Sequence, residues 1–112
     1  MPAILVNFPV CIEKHVDWVV DAMNYVRDAG AVEIEPLPEY ESAWVDKISA
    51  DVEGTLMTTT DSWYMNSNLP GKPKVFMAYF PGMPSYAEIC DEVAANGYRG
   101  FNLKTEKMAV AV

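Results

Sequence analysis

The chain has 112 residues, of which 51% are hydrophobic and 21% charged, a composition typical of one folded domain. Sixteen acidic residues against eight basic ones give a formal net charge of −8, which argues against nucleic acid as a partner because phosphate contacts need clustered Lys and Arg. The charge also disfavours an anionic membrane surface, and no apolar stretch approaches the roughly 20 residues of a transmembrane helix. Without a recognisable targeting signal, we expect a cytoplasmic protein that binds neither nucleic acid nor membrane.

The first part of the chain predicts a strand end followed by a long helix. The apolar run at residues 3–10 is typical of a strand, and Pro9 stops it because proline has no N–H to donate to a sheet. Apolar side chains then recur at helical spacing over residues 12–29, with charged side chains between them. Gly30 supplies the left-handed residue that ends many helices. We therefore expect a helix over residues 12–29.

Shorter elements are predicted in the middle of the chain. Alternating apolar and acidic residues predict a strand over residues 32–35, and Pro38 suits the first turn of a second helix. The apolar stripe of that helix consists of Tyr40, Trp44, Ile48 and Val52. Residues 74–80, almost all apolar or aromatic, predict a buried strand. Ser85 and Glu88 have the spacing of a capping box at the start of a third helix.

The last elements complete an α/β chain with few strands. A short final strand is predicted within residues 97–103, and residues 104–112 are predicted to be a flexible tail behind a single domain of residues 1–103. Helices alternate with only a few short strands, fewer than a self-sufficient parallel sheet needs. The predicted fold class is therefore α/β with an incomplete sheet, as in a piece of something larger.

The residues outside the middle loop offer no conventional catalytic set. His15 has no Ser or Cys motif that would make it a general base, and we interpret it as a partly exposed helix residue. Cys11 and Cys90 fit no metal-ligand spacing and are interpreted as buried, reduced thiols. The six glycines form neither a GxGxxG nor a P-loop pattern. We predict no catalytic residue and no metal site.

The stretch DSWYMNSNLPGK, residues 61–72, is unusual for a surface loop. Trp63 and Tyr64 present flat aromatic faces with one polar group each, the asparagines that follow tolerate left-handed backbone, and Lys72 adds a positive charge. These features suit a mobile flap over a planar, phosphate-bearing ligand such as a nicotinamide nucleotide. They also suit a hydrophobic plug that anchors a long loop, and the residues by themselves favour the plug.

Two motifs carry a resemblance to a known family. The stretch SWYMNSNLPGKPKVFMAYFPGMPSYAEICDEVAANGYRGF, from Ser62 onward, closely resembles the carboxyl-terminal region of Baeyer–Villiger monooxygenases, especially those related to phenylacetone and steroid monooxygenases. There, a stretch of the type SWYxGANxPGKPxVFM is followed by YxxxCDEVAxxGYxGF. The earlier IEKHVDWV, from Ile12, is similar to the family's IEQHVDWV. The match covers residues 2–103 and implies the carboxyl-terminal part of a flavoprotein with two dinucleotide-binding domains.

The resemblance also implies cofactors, a substrate and site residues. Members of the family bind FAD and NADPH and insert one oxygen atom of O2 next to a ketone carbonyl. By resemblance, Trp63 folds over NADP, and Asn7 and Phe8 lie near the flavin. Leu5, Phe8 and Met77 match positions that shape the pocket of a small hydrophobic ketone. The positive end of the helix predicted after Phe8 would favour the negative charge of a reduced flavin.

Two departures limit what the resemblance implies. The family's GAN is Asn66-Ser67-Asn68 here, so asparagine replaces the glycine that permits an unusual backbone. The family's dinucleotide fingerprints, its arginine that faces the flavin and its FxGxxxHxxx signature all lie upstream of anything in this chain. The chain corresponds to about the last fifth of such an enzyme, and we expect neither FAD nor NADPH to stay bound to it alone.

Two interpretations of the function remain open from the sequence. In the first, the chain is a carboxyl-terminal fragment of a Baeyer–Villiger monooxygenase, inactive alone, whose partner is the remainder of the enzyme. In the second, it is a free-standing, non-catalytic binding or assembly module of monooxygenase ancestry that forms a homodimer. The apolar runs at residues 3–10 and 74–80 favour the fragment, because a chain adapted to live alone would carry polar residues there.

Overall fold

The structure, a computed structural model, describes Pro2 and residues 5–105. Helices and strands follow one another along these residues as α1 (Phe8–Asp28), β1 (Glu33–Pro36), α2 (Pro38–Ala50), α3 (Met83–Ala95) and β2 (Phe101–Lys104). The strands β1 and β2 pair antiparallel, with Glu33 opposite Lys104, and within the described residues they form the whole sheet. The predicted α/β class with a small, incomplete sheet is confirmed.

Helix α1 begins earlier than the sequence predicted. Its first residue is Phe8, Asn7 occupies the N-cap position with extended backbone, and Pro9 lies within the first turn. A proline there costs no hydrogen bond, because the first N–H groups of a helix have no partner inside it. The prediction that Pro9 ends a strand was therefore wrong, and residues 3 and 4 of the predicted strand lie outside the described residues.

The start of α3 also differs from its prediction. Gly82 occupies the N-cap position, with φ of 96°, and a proline follows within the first two helical positions. This proline moves the start of the helix ahead of Ser85, so the predicted capping box with Glu88 does not form. The hydroxyl of Ser85 lies 2.7 Å from the phenol oxygen of Tyr79 instead.

The segment at residues 74–80 is buried as predicted but is not a strand. Phe76, Ala78 and Tyr79 are almost fully buried, whereas Met77 is 49% exposed. None of these residues has a partner strand in the described part of the chain. The prediction was wrong because an apolar run reports burial and does not reveal whether a neighbouring strand exists to complete a ladder.

The core is small and lies beneath the middle of the chain. Val52, Met65, Phe76 and Ala78 form its buried cluster. The Cα radius of gyration is 16.5 Å, against about 13 Å for a compact domain of roughly 100 residues. This open shape agrees with a chain that covers only part of a larger fold.

The carboxyl end of the described region belongs to the sheet. Lys104, which the sequence assigned to the tail, ends β2, and its ammonium lies 3.1 Å from a carboxylate oxygen of Glu33 and 2.8 Å from one of Glu35. The rest of the predicted tail from residue 106 onward lies outside the described residues. Among the described helices, none is long and apolar enough to span a bilayer.

Candidate functional site

The loop at residues 61–72 is shaped by hydrogen bonds to Ser62. Its hydroxyl accepts a hydrogen bond from the N–H of Tyr64 at 3.1 Å, and its carbonyl accepts from the N–H groups of Met65 at 2.9 Å and Ser67 at 3.2 Å. A serine in extended conformation is a good cap for a short helical turn. The turn Trp63–Met65 is the result, and it fixes the direction of the two aromatic side chains.

The asparagine that replaces the family's glycine adopts the backbone for which glycine is usually needed. Asn66 has φ of 58° and ψ of 18°, in the left-handed region, and its N–H donates to the carbonyl of Trp63 at 3.2 Å. Asparagine visits this region more readily than other residues with a β-carbon. The substitution is therefore compatible with the tight turn that follows Met65.

Trp63 is exposed rather than used as a plug. It is 59% exposed, and its ring stacks on that of Tyr64 with 3.9 Å between centroids and 26° between planes. The buried anchor of the loop is Met65, which is 6% exposed and belongs to the core cluster. The plug interpretation is therefore wrong for Trp63, whose indole is left accessible at the surface.

The loop is tied to the segment that carries Met77. An ion pair joins Asp61, the first residue of the loop, to Lys74, which follows the loop. The hydrogen bond and charge of Lys74 lower the pKa of the Asp61 carboxyl. In addition to this ion pair, the N–H of Met77 donates a hydrogen bond to the carbonyl of Tyr64 at 3.0 Å. The structure thus brings Met77 and the aromatic pair of the loop into one region.

The three remaining predicted site residues lie at the amino end of α1. Leu5 and Phe8 are about half exposed, and the side chain of Asn7 makes no capping hydrogen bond. The first turn contains no acidic side chain. Among the described residues, no hydrogen bond joins these three to Trp63 or Met77. The predicted site residues thus come from two parts of the chain, the amino end of α1 and the stretch from Trp63 to Met77.

A set of contacts that the sequence did not predict joins α1 to α3. The contacts are the ion pair Lys14–Asp91, a 2.8 Å approach of His15 Nε2 to Tyr86 Oη, and a 2.9 Å hydrogen bond from Trp18 Nε1 to the carbonyl oxygen of Cys90. All six residues belong to the two motifs that carry the resemblance. We call these contacts the helix clasp. The motif spacing could have suggested that the two stretches meet, but it could not identify the pairs.

The contacts of His15 with Tyr86 and of Trp18 with Cys90 are partly buried, whereas the ion pair Lys14–Asp91 is exposed. Burial lowers the pKa of the His15 imidazole and raises the pKa of the Tyr86 phenol. The hydrogen bond from Lys14 to Asp91 raises the pKa of the lysine. His15 lies within α1 and is partly exposed, as the sequence predicted.

The prediction of a buried thiol is confirmed for Cys11 and holds only in part for Cys90. Cys11 is fully buried and Cys90 partly buried, and both are free thiols. Burial raises the pKa of the Cys90 thiol, which keeps it protonated and unreactive at neutral pH. The described part of the chain holds no cluster of side chains suited to a metal ion.

Helix α1 is apolar on two sides. The side that carries Cys11, Trp18 and Ala22 packs into the protein. Another side exposes a row of large apolar residues, each 47–66% exposed: Ile12, Val16, Val19, Val20 and Met23. Such a contiguous exposed row is uncommon on a soluble monomer.

Comparisons with known proteins place these features in context. No family model matches the chain. The acetone monooxygenase (methyl acetate-forming) of Gordonia sp. is 38% identical over 101 residues, which cover 90% of this chain and 19% of that enzyme. The cyclopentanone 1,2-monooxygenase of Comamonas sp. is 38% identical over 103 residues, which cover 91% of this chain and 18% of that enzyme. A Baeyer–Villiger monooxygenase of Pseudooceanicola batsensis is 32% identical over 92 residues, covering 82% and 17%.

Solved structures show the same relation in three dimensions. An oxidized steroid monooxygenase bound to NADP matches with a TM-score of 0.83 and 38% identity, over 93% of this chain and 19% of that one. A closed crystal structure of cyclohexanone monooxygenase matches with a TM-score of 0.78 and 41% identity, over 87% and 18%. The chain spans less than a fifth of the length of these relatives. In sequence and in fold, it is homologous to one segment of the Baeyer–Villiger monooxygenases.

Proposed function

We propose that these residues are the carboxyl-terminal part of a flavin-dependent Baeyer–Villiger monooxygenase that inserts an oxygen atom next to a ketone. They supply the loop that covers NADP and part of the substrate pocket, and they are inactive alone. The observation that carries this proposal is the match of 93% of the chain, at a TM-score of 0.83, to 19% of a steroid monooxygenase bound to NADP. FAD and NADPH belong to the complete enzyme, which is expected to be cytoplasmic.

The residues assigned to NADP and to the flavin suit those groups chemically. The exposed indole of Trp63 offers a flat face and one N–H donor at a surface. At the amino end of α1, the absence of acidic side chains and of a side-chain cap leaves the helix dipole open to an anion beside Asn7 and Phe8. When bound, the two cofactors supply the reducing electrons and the site of oxygen transfer.

The assigned substrate residues suit a small hydrophobic ketone. Leu5, Phe8 and Met77 are apolar and each is 45–49% exposed, so all three have surface left to contact a ligand. Burying apolar surface contributes about 25 cal/mol per Å². The remaining walls of the pocket belong to the part of the enzyme that these 112 residues do not contain.

The exposed row on α1 supports the incompleteness of the chain. Five large apolar side chains in one row, from Ile12 to Met23, would be costly to leave in water. The remainder of the monooxygenase is the partner that would cover them. The size of the native gene product tests this proposal: an antibody against this chain should detect a polypeptide several times heavier than 12.5 kDa in an extract of the source cells. A band at 12.5 kDa would contradict it.

The exposed row also supports a second candidate function, a non-catalytic binding or assembly module that forms a homodimer. Two copies of α1 could cover one another by their apolar rows. The molar mass of the chain in solution separates the two candidates. A stable dimer supports the module, whereas aggregation that ends when the remainder of the enzyme is co-expressed supports the fragment.

Replacement of Trp63 tests the loop assignment in the full-length gene product. We expect Trp63→Ala to lower NADPH-dependent oxygenation at least about tenfold, roughly 1.4 kcal/mol of transition-state stabilisation, and to leave FAD content unchanged. The reason is that the indole would contact NADP and not the flavin. Steady-state kinetics and the flavin absorbance measure the two effects.

Leu69→Ala is the matched control for this experiment. Leu69 is exposed and lies in the same loop, so its replacement removes exposed apolar surface from the loop and leaves the aromatic pair in place. Unchanged kinetics in Trp63→Ala, or an equal loss in Leu69→Ala, would contradict the assignment of Trp63.

A further inference from the structure

Tyr64 lies between the side chain assigned to NADP and the segment assigned to the substrate. Its ring stacks on Trp63 with 3.9 Å between centroids, and its other ring neighbour is Phe76, with 6.3 Å between centroids. Its carbonyl accepts the hydrogen bond from Met77 at 3.0 Å. One residue therefore contacts the loop tryptophan through its side chain and the pocket segment through both side chain and backbone.

The side chains beneath Trp63 and Met77 are closely packed. Trp63 and Met77 are 59% and 49% exposed, whereas Phe76 is 2% and Met65 is 6% exposed. The partly buried ring of Tyr64 packs against the cluster that contains these two buried residues. Because close-packed groups cannot shift independently, a displacement of the Trp63 ring has to be accommodated by Tyr64 and its neighbours.

We infer that Tyr64 is a positioning residue that couples the placement of Trp63 over NADP to the shape of the substrate wall at Met77. This inference rests on the proposed function for its two ligands. A shift of the Trp63 indole displaces the Tyr64 ring that stacks on it. Tyr64 in turn displaces the substrate wall through its packing against Phe76 and its hydrogen bond with Met77. A bound NADP thus changes the affinity for ketone through Tyr64.

The coupling is measured as the ratio of the ketone dissociation constants of the FAD-loaded full-length enzyme without and with saturating NADP. NADP is not a reductant, so no turnover occurs. Since couplings between sites commonly amount to about fivefold or more, we expect at least that ratio in the unmodified enzyme. Tyr64→Phe keeps the ring and the backbone bond and should keep the ratio.

Tyr64→Leu is the decisive variant. Leucine keeps apolar packing against Phe76 and leaves the backbone hydrogen bond to Met77 possible, but it removes the ring that stacks on Trp63. We expect the ratio to fall below about twofold in this variant, well short of the usual range for coupled sites. Leu69→Ala, in the same loop, should leave the ratio unchanged and controls for a general loosening of the loop.

The outcomes separate the inference from the proposed function. Suppose that the enzyme binds NADP and ketone, but that Tyr64→Leu keeps the full ratio or that NADP does not change the ketone affinity of the unmodified enzyme. The coupling through Tyr64 is then wrong and the proposed function stands. If the full-length product binds neither ligand, the proposed function is wrong and the coupling falls with it. A fall of the ratio in Tyr64→Leu but not in Tyr64→Phe supports both.

Discussion

The helix body and the loop region of this protein are held by different kinds of contact. In the body, formed by α1, α3 and the two strands, Trp18 reaches the carbonyl of Cys90, 72 positions away in sequence, and its ring packs edge-on against that of Tyr98 at 5.2 Å between centroids. In the loop region, residues 55–80, hydrogen bonds between near neighbours predominate. Thr55, Thr58, Thr59 and Thr60 each donate to the carbonyl three residues earlier.

The difference separates residues that hold the fold from those that are free to meet a ligand. Six residues of the two motifs that carry the family resemblance form the helix clasp, which joins two distant parts of the chain. Trp63 and Met77 lie in the loop region with about half of their surface exposed. The exposed side chains of this region can rearrange at lower cost than the helix body, whereas the core cluster beneath them is packed.

Replacement of Trp18 should have the largest effect on stability. Trp18→Ala removes the hydrogen bond to Cys90 and the packing against Tyr98, and we expect about 3 kcal/mol less free energy of unfolding, at the low end for a buried aromatic because Trp18 is only partly buried. Urea denaturation of the 112-residue chain measures it. Val19→Ala, at the adjacent exposed position, should cost less than about 0.5 kcal/mol. Similar losses in the two variants would contradict the comparison.

Substitutions of two glycines, one near the helix body and one in the loop region, test the same difference between the two regions. A β-carbon on Gly100, at φ of 96°, would lie 2.7 Å from Cδ1 of Tyr40, whereas one on Gly71, at φ of 77°, would meet nothing within 4 Å. We expect Gly100→Ala to cost about 2 kcal/mol, from strain and overlap together, and Gly71→Ala about 1 kcal/mol from strain alone.

The same denaturation experiment measures both glycine variants. A second substitution, Tyr40→Ala, should recover part of the loss in Gly100→Ala, because it removes the overlapping ring. If Gly71→Ala were the more damaging of the two, the loop region would be the more tightly constrained part of the molecule.

The smallest expected effect is a pH dependence of the clasp. Burial lowers the pKa of His15 below its ordinary value of 6.5, so the unfolded chain binds its proton more readily than the folded one. The contribution of His15 to stability is complete above pH 6.5 and is lost as the pH falls toward the lowered pKa. Free energies of unfolding between pH 5 and 8 should fall modestly on the acid side. The fall should be smaller in His15→Gln. An identical pH profile in that variant would show that His15 does not cause the loss of stability at acid pH.

The sequence predicted the helices better than the segments between them. Helix α2 begins at Pro38 as expected, and β1 lies within one residue of its predicted range, because proline chemistry and local periodicity determine both. The start of α1 and the cap of α3 were wrong because each includes a proline that the first turn tolerates. The strand predicted at residues 74–80 was wrong because a strand also requires a partner, which no local pattern reveals.

The sequence by itself determined the class of fold, the absence of a nucleotide-binding loop and the family resemblance, because these depend on residue types at short spacing. Only the tertiary structure decided that Trp63 is exposed, that Tyr64 joins it to Met77, and that the motif residues form a clasp between α1 and α3. The link from Tyr64 to Met77 and the clasp depend on contacts between residues that lie 13 to 77 positions apart in sequence. Such contacts form only when the whole chain has packed, and no local pattern in the sequence specifies them.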